Sequence, residues 1–394
     1  MIKKILAVTA AMLLAGCGNM ISEQDHITVP KTTVTDKTPT GQEDAPTQTT
    51  ASAAATTQTT TTPQTTTTAE TTTTTTTTTA AATVSTAAPM TPAVVGEDVT
   101  PPTILNLEDN IYVQTGSYFD IQEYISYGDN YDPEPQLFIT GDVDTSVQGV
   151  YPVSLRLTDN AGNTTERSIN VNVSDSTWSS EGGELATVPF ADFKAQFGGE
   201  GRSVGIDISR WQGQVDFEAV KNAGCQFVII RVGYSTNGGA EQDEWFAANY
   251  ASAKAAGLKV GVYFYSEDTS EEAVRANARW IIDQIGGDKL DFPIAFDWED
   301  FYHYQNYHMS IHALNEIFEA FADELEQHGY QAMLYSSKNF LELFWENRRD
   351  HMVWVAQYND QVTYSGKFSI WQRCGTGWID GINGYVDLNV LYDG

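Results

Sequence analysis

Two carboxylates stand two residues apart in the stretch Phe292 to Asp300, which reads Phe-Pro-Ile-Ala-Phe-Asp-Trp-Glu-Asp. The apolar, β-prone first half of this stretch predicts a strand, with Asp297 and Glu299 on the same face at its end. Paired carboxylates in such a position can serve as general acid and base. A solvated acidic turn after an ordinary core strand is the alternative interpretation, so the surrounding chain has to decide between the two.

Strand and helix patterns alternate through the C-terminal half of the chain and predict a scaffold for this pair. The predicted helices are 215–223, 243–256, 270–285, 310–328 and 338–345, and the predicted strands are 203–209, 227–233, 259–265, 292–298, 331–336, 352–357, 367–373 and 384–391. Mostly β-α alternation predicts an α/β fold, an irregular (β/α) barrel of parallel strands with reduced helices. An open doubly wound sheet is the alternative. No glycine-rich phosphate loop follows any predicted strand, so nucleotide binding has little support.

Polar and aromatic side chains recur at the ends of these predicted strands. In a parallel barrel the carboxyl ends of the strands form the mouth that holds the active site. Any one of these side chains alone fits a core polar group or a strand-end cap, but their joint occurrence at one rim predicts a functional site. In strand order they are Asp207, Arg231, Tyr263 and Tyr265, Asp297 and Glu299, Tyr335, Gln357, Trp371 and Gln372, and Asp387.

Four segments of this half of the chain resemble glycoside hydrolase family 25. They are Gly205 to Gly213 (Gly-Ile-Asp-Ile-Ser-Arg-Trp-Gln-Gly), Ala295 to Glu299, Trp354 to Tyr358 and Gly381 to Asn389. The resemblance runs from about Val204 to Tyr392, with the motifs in the family's order. It implies a muramidase, that is, a lysozyme that cuts the β-1,4 bond between N-acetylmuramic acid and N-acetylglucosamine in peptidoglycan. A non-catalytic peptidoglycan-binding protein and a glycosidase for another N-acetylhexosamine polymer are the alternatives.

The resemblance also implies separate roles for the four acidic residues. Glu299 matches the general acid that protonates the leaving oxygen, and Asp297 matches the ionised residue that assists the acetamido group of the substrate. Asp207 and Asp387 match the other acidic positions of the cleft. We expect burial and the charge of Asp297 to raise the pKa of Glu299. The residues themselves leave open a direct carboxylate nucleophile or a base-activated water.

Five further residues are predicted to contact the substrate. Tyr263, Tyr335 and Trp371 are predicted sugar platforms, because the flat apolar faces of pyranose rings stack on aromatic rings. Gln357 and Arg231 are predicted polar contacts. We expect no cofactor and no metal, since the histidine spacings form no zinc pattern.

The first 17 residues predict export and a lipid anchor. Lys3 and Lys4 precede an apolar run from Ile5 to Leu14 that is too short to span a bilayer, which indicates a signal peptide. The following Leu-Ala-Gly-Cys resembles the lipobox of bacterial lipoproteins and implies lipidation of Cys17. An ordinary secretory signal is the alternative. We therefore expect an extracytoplasmic protein, anchored to the cell membrane by lipid and reaching into the cell wall.

Three regions separate this signal from the predicted catalytic domain, 202–394. Residues 18–100 are rich in Thr, Ala and Pro, and predict a disordered tether. Residues 101–175 contain short strands punctuated by turn residues, which predicts a small antiparallel β-sandwich. This region resembles bacterial immunoglobulin-like domains, most specifically at Asp159 to Asn163. Residues 176–201 form a joint with a short predicted helix.

Charge and cysteines limit the partners. The formal net charge of −31 argues against nucleic acid, which is bound through Lys and Arg clusters. We expect peptidoglycan and the membrane as partners of a monomer. Cys225 and Cys374 are predicted at opposite ends of the barrel and therefore unpaired.

Several aspartates of the immunoglobulin-like region hint at calcium. They fit no complete ligand loop, so we interpret them as turn formers. They are Asp129, Asp132, Asp142, Asp144 and Asp159.

Overall fold

The structure is a computed structural model that describes residues 98–105, 107–175, 186–236 and 239–392. The predicted signal peptide, the lipidation site at Cys17 and nearly all of the predicted tether lie outside the described residues, as does the first part of the predicted joint. Within those four ranges, no helix is both long enough and apolar enough to cross a membrane.

Six strands fold the first part of the described chain into two sheets. The strands are β1 (Thr103–Leu105), β2 (Asn110–Gln114), β3 (Ser126–Gly128), β4 (Gln136–Thr140), β5 (Gly149–Thr158) and β6 (Thr164–Ser174). β1 pairs with β3, and the larger sheet has the order β2-β6-β5-β4. Alternate residues of β5 and β6 are buried and enclose an aliphatic core between the sheets. The pairing of β2 with β6 is parallel, so the expectation of a wholly antiparallel sandwich is wrong there. The likeness to immunoglobulin-like domains stays a prediction.

The rest of the chain forms a barrel with helices on its outside. Its helices are α1 (Phe190–Phe197), α2 (Phe217–Asn222), α3 (Phe246–Ala256), α4 (Glu271–Gln284), α5 (Ile311–Gln327) and α6 (Lys338–Leu343). Its strands are β7 (Val188–Pro189), β8 (Arg202–Ile208), β9 (Phe227–Thr236), β10 (Gly239–Gln242), β11 (Lys259–Ser266), β12 (Ile294–Trp298), β13 (Ala332–Ser337), β14 (Met352–Ala356), β15 (Ile370–Trp378) and β16 (Val386–Tyr392).

Eight strands close the barrel in the order β9-β11-β12-β13-β14-β15-β16-β8, and β8 pairs again with β9. The α/β barrel predicted from the sequence is confirmed, but β16 runs antiparallel to both β15 and β8. The expectation of parallel strands throughout is therefore wrong for the last strand. Its cause is the connection from Trp378 to Val386, which contains no helix. A parallel crossover needs a dozen or more residues, so a return this short makes an antiparallel neighbour.

Alternation along the strands divides the barrel core into two layers. Residues such as Ala295, Met333 and Trp354 form a cluster drawn almost wholly from the barrel strands, which is the barrel interior. Phe296 belongs instead to the cluster that includes the buried faces of the outer helices, and its ring packs 4.9 Å from that of Phe321 on α5. Successive residues of one strand therefore point alternately into the barrel and out to the helices.

The small β region contacts the barrel at the loop that follows β12. Gly128 at the end of β3 lies so close to Tyr304 that a Cβ atom at this position would stand 2.9 Å from the ring. The carbonyl of Asp129 accepts a hydrogen bond of 2.8 Å from the N–H of Ile311, the first residue of α5. Leu105 of β1 belongs to the same hydrophobic cluster as the outer barrel core. The two parts thus share packed and hydrogen-bonded contacts.

Candidate active site

Asp207 and Asp387 lie side by side at one end of the barrel. Asp207 is the sixth residue of β8, and Asp387 is the second residue of β16, to which it is register-paired. Because β16 is antiparallel to β8, the start of β16 lies at the carboxyl end of β8. The reversed strand is what brings Asp387 to the mouth, since in a parallel strand a residue at the start lies at the opposite end.

Asp297 is fixed in the mouth by its strand neighbours. It is register-paired with Tyr265 on β11 and with Tyr335 on β13. It follows Ala295 by two residues and therefore points into the barrel, where it is buried. Glu299 comes directly after β12 and is half-buried. A fixed carboxylate and a more accessible one thus meet at the end of the same strand.

Trp298, which lies between Asp297 and Glu299 in the sequence, does not face the mouth of the barrel. Its side chain points outward, where its ring lies 4.9 Å from that of Phe301 and its indole Nε1–H donates to the carbonyl of Asp268 over 3.1 Å. Trp298 precedes Glu299 directly in the sequence, but its outward-pointing side chain belongs to the outer core of the barrel.

The phenol of Tyr335 lies in the barrel interior, where burial and negative charge both act on it. Burial raises its pKa well above the ordinary value, and the charges of Glu299, Asp297 and Asp207 act in the same direction. The phenol therefore keeps its proton, which it donates to Gln372 Oε1 over 3.0 Å.

Gln372 on β15 connects Asp207 on β8 to Tyr335 on β13 and to Tyr358. Its Oε1 accepts hydrogen bonds from Tyr335 and from Tyr358 at 3.0 and 3.1 Å, and its Nε2 donates to Asp207 Oδ2 over 3.1 Å. Both ends of the amide are engaged, which fixes its orientation. The hydroxyl of Tyr358 also lies 3.4 Å from Asp387 Oδ1.

Asn389 is the second side chain that positions Asp207. Its Nδ2 donates to Asp207 Oδ2 over 2.6 Å, and its Oδ1 accepts from the indole Nε1–H of Trp354 over 2.9 Å. Sequence reasoning gave Asn389 no role. The available signal was the spacing, because a residue two after Asp387 on the same strand shares its face.

The predicted sugar platforms separate into two groups. Tyr263 and Tyr335 are in the barrel interior, with ring centroids 6.2 and 4.5 Å from that of Trp354. Trp371 points outward, is only 2% exposed, and meets the ring of Phe197 edge-on at 5.4 Å. Its ring face is covered, so the structure does not place Trp371 where a sugar can stack on it.

Gln357 and Arg231 are engaged in contacts within the protein. The Gln357 amide donates to the hydroxyl of Thr363 over 2.8 Å and accepts from the backbone N–H of Thr363 over 2.7 Å. Arg231 is buried, and its Nε–H donates to Asp243 Oδ2 over 2.9 Å. Gln357 therefore holds the loop that follows β14, and Arg231 holds the segment between β10 and α3.

Three aromatic side chains near the mouth expose more than a third of their surface. Trp211 lies in the turn that follows β8, Tyr358 follows β14, and Tyr385 precedes β16. All three stand in the motifs quoted above, but sequence reasoning gave none of them a role.

Part of the barrel is similar in sequence to known proteins. Residues 206–382 match the sequence profile described as Glycosyl hydrolases family 25. The chain is 32% identical over 199 residues to an autolytic lysozyme of Clostridium acetobutylicum, covering 48% of this chain and 56% of that protein. It is 34% identical over 98 residues to Lysozyme M1 of Streptomyces globisporus, covering 24% and 32%.

Among solved structures, a bacterial lysozyme from Streptomyces coelicolor is similar at 24% identity and a TM-score of 0.42, over 49% of this chain and 92% of that one. This chain spans about half the length of the Clostridium relative. Residues 206–382, which form most of the barrel, are thus similar to glycosyl hydrolases family 25.

Proposed function

We propose that this chain is a peptidoglycan hydrolase, a muramidase that cuts the β-1,4 bond between N-acetylmuramic acid and N-acetylglucosamine. The observation that carries the proposal is the convergence of Asp207, Asp297, Glu299 and Asp387 at one end of the barrel. The match of residues 206–382 to a glycosidase family supports it. Glycoside hydrolysis is typically carried out by such carboxyl groups around an oxocarbenium-like transition state.

Glu299 is the proposed general acid. Its position directly after β12 places it at the same end of the barrel as Asp297 and leaves it half-buried. It donates a proton to the glycosidic oxygen as the bond from that oxygen to the anomeric carbon breaks.

Asp297 is the proposed partner of the acetamido group. The carbonyl oxygen of that group forms a bond to the anomeric carbon while the leaving oxygen departs, and water later opens the cyclic intermediate. The partner must be fixed in place, because it orients the acetamido group for attack. Burial and pairing with strands on both sides fix Asp297 in this way.

Asp207 and Asp387 are proposed to hold the sugar and to stabilise positive charge in the transition state. Gln372 and Asn389 hold Asp207 through donated hydrogen bonds, and Tyr358 contacts Asp387. Such a supporting shell keeps the carboxylates within the small tolerance that catalysis requires.

Sugar binding is proposed to rest on stacking and hydrogen bonds, because a chain with a formal charge of −31 does not attract an anionic polymer. Tyr263 and Tyr335 supply the interior aromatic surface. Trp211, Tyr358 and Tyr385 supply exposed rings at the rim.

The proposed place of action is outside the cytoplasmic membrane. Lipidation at Cys17 anchors the chain, and the tether of 18–100 gives the barrel reach into the wall. Cys17→Ala is expected to release the protein from membranes. Retention of this variant in the membrane fraction contradicts the lipid anchor.

The test of activity is digestion of purified peptidoglycan by the whole chain, followed by identification of the new reducing end. Muramic acid at that end supports the proposal. N-acetylglucosamine at that end, cleavage of chitin alone, or binding without cleavage contradicts it, the last outcome indicating a binding protein.

Glu299→Gln tests the general acid, because glutamine keeps the size of the side chain and removes the proton. We expect a loss of turnover of about 10²- to 10⁴-fold. Glu342→Gln on α6 makes the same change at a surface residue that pairs with Lys338, and is expected to leave activity unchanged. Equal activity of the two variants refutes the role of Glu299.

A further inference from the structure

Three aspartates from separate loops converge where the small β region meets the barrel. Asp98, Asp129 and Asp159 each offer a carboxylate oxygen, and these oxygens all lie within 4.8 Å of one another. Asp129 and Asp159 are buried. The residues are far apart in sequence, so no continuous metal-binding motif reveals them.

Asp129 has one carboxylate oxygen that hydrogen bonds do not account for. Its Oδ1 accepts from the backbone N–H groups of Tyr131 and Asp132 at 3.0 and 2.7 Å. Its Oδ2 is buried and accepts no hydrogen bond from the described residues, and the same holds for Oδ1 of the neighbouring Asn130. A buried oxygen without a partner is costly, so these two atoms indicate a missing ligand.

The negative charge of the cluster is also uncompensated within the described ranges. No Lys, Arg or His side chain there forms a salt bridge with Asp98, Asp129 or Asp159. Burial raises the pKa of Asp129, and the charges of Asp98 and Asp159 act in the same direction against the hydrogen bonds from the backbone. A bound cation compensates the negative charge of the cluster and favours the ionised form of Asp129.

We propose that Asp98, Asp129 and Asp159 bind a calcium ion. The donors are hard oxygen atoms only, which suits Ca²⁺ or Mg²⁺ rather than a transition metal. Irregular loops suit Ca²⁺ better, because Mg²⁺ demands near-ideal octahedral geometry. The orphaned Oδ1 of Asn130 is a further candidate ligand.

This assignment adds a metal-binding role to Asp129 and Asp159, which also accept turn-forming backbone hydrogen bonds, and it includes Asp98. Asp132 and Asp144 keep the role predicted for them. Both oxygens of Asp132 accept backbone N–H bonds of 2.9 Å, and Asp144 Oδ1 accepts from the backbone N–H of Ser146 over 3.0 Å.

The proposed ion sits in the segment that docks the β region on α5. The carbonyls of Asp129 and Asn130 accept hydrogen bonds from the N–H groups of Ile311 and His312 at 2.8 and 2.9 Å. Calcium therefore stabilises the loop at Asp129 and Asn130, through which the β region contacts α5. The inference stands independently of the proposed hydrolase, because it concerns the β region and its contact with α5.

The test is calorimetric titration of the whole chain with calcium chloride after removal of metals by a chelator. We expect one ion per chain. Asp129→Asn removes one anionic ligand at constant size and is expected to weaken binding on the order of tenfold or more. The matched control is Asp144→Asn, an exposed turn residue outside the cluster, which is expected to bind like the unchanged chain.

Thermal unfolding separates a calcium ligand from a turn former. A ligand role predicts that Ca²⁺ raises the unfolding temperature of the unchanged chain but not of Asp129→Asn. It also predicts that in chelator the variant is at least as stable as the unchanged chain, since repulsion among three carboxylates is relieved. If Asp129→Asn does not fold, Asp98→Asn is tested in its place.

Three outcomes overturn the proposal. One is the absence of Ca²⁺ binding by the unchanged chain, and another is equal binding by Asp129→Asn and Asp144→Asn. The third is an equal rise in unfolding temperature with Mg²⁺ at the same concentration, which contradicts the choice of calcium.

Discussion

The substitution Asn389→Asp is expected to make the stability of the folded protein depend on pH. The side-chain shape is kept, but the N–H that Asp207 Oδ2 accepts over 2.6 Å becomes a carboxylate oxygen. Both residues are buried. Two carboxylates this close in a buried site do not both ionise, so the folded variant takes up a proton that the two groups share.

The free-energy cost of keeping this shared proton in the folded variant depends on the pH. Keeping a proton on a carboxyl group costs about 1.4 kcal/mol for each pH unit above its ordinary pKa of about 4. The cost is therefore small near pH 4 and reaches about 4 kcal/mol near pH 7. The pair in the folded state has a pKa above that in the unfolded state, so the folded state binds more protons. The stability of the variant, relative to the unchanged chain, thus falls as pH rises through this window.

The assay is urea unfolding of both proteins at several pH values in this window, followed by tryptophan fluorescence. Asn383→Asp is the matched control, because Asn383 lies in an exposed loop. Surface substitutions of this kind change the free energy of unfolding by about 0.5 kcal/mol or less. A destabilisation by Asn389→Asp that does not depend on pH, or that equals the control, refutes the reasoning.

Two further predictions concern packing. Gly128→Ala puts a Cβ atom 2.9 Å from the ring of Tyr304 and should cost about 1–3 kcal/mol of stability, measured by denaturant unfolding. Gly149→Ala, where the nearest atom is 3.5 Å away, is its control, and equal effects contradict the close contact. Burial raises the pKa of the Cys225 thiol to about 12 and also raises that of Cys374. Neither should be alkylated in the folded protein near neutral pH, whereas both should react after unfolding without reductant. Mass spectrometry counts the alkylated cysteines before and after unfolding. Rapid modification of Cys225 or Cys374 in the folded chain contradicts their burial.

Much of the barrel is predictable because local pattern and tertiary structure agree. The long helix predicted over 310–328 is α5, Ile311–Gln327, since its apolar face and the capping Ser310 both appear in the sequence. The strand that carries Asp297 is equally clear from its apolar run. The prediction that Cys225 and Cys374 are unpaired is confirmed.

The predictions that failed depend on which way a strand runs or a side chain points. A strand pattern is the same for either direction, so the reversal of β16 shows only in the short connection that precedes it. Trp371 was predicted to line the mouth, but alternation places it on the outer face against Phe197. The approach of Asp98 to Asp129 and Asp159 arises from loops far apart in the chain, which no local pattern encodes.

The reversed strand β16 also bears on the order of events during synthesis. Asp207 receives its bond from Asn389, a residue 182 positions later in the chain. Every other barrel strand has already been translated when that residue is added. Because the last strand both closes the sheet and supplies Asp387, a nascent chain cannot hold an assembled site before its end has been made. A chain cut short before β16 lacks both Asp387 and Asn389, and its barrel sheet stays open between β15 and β8.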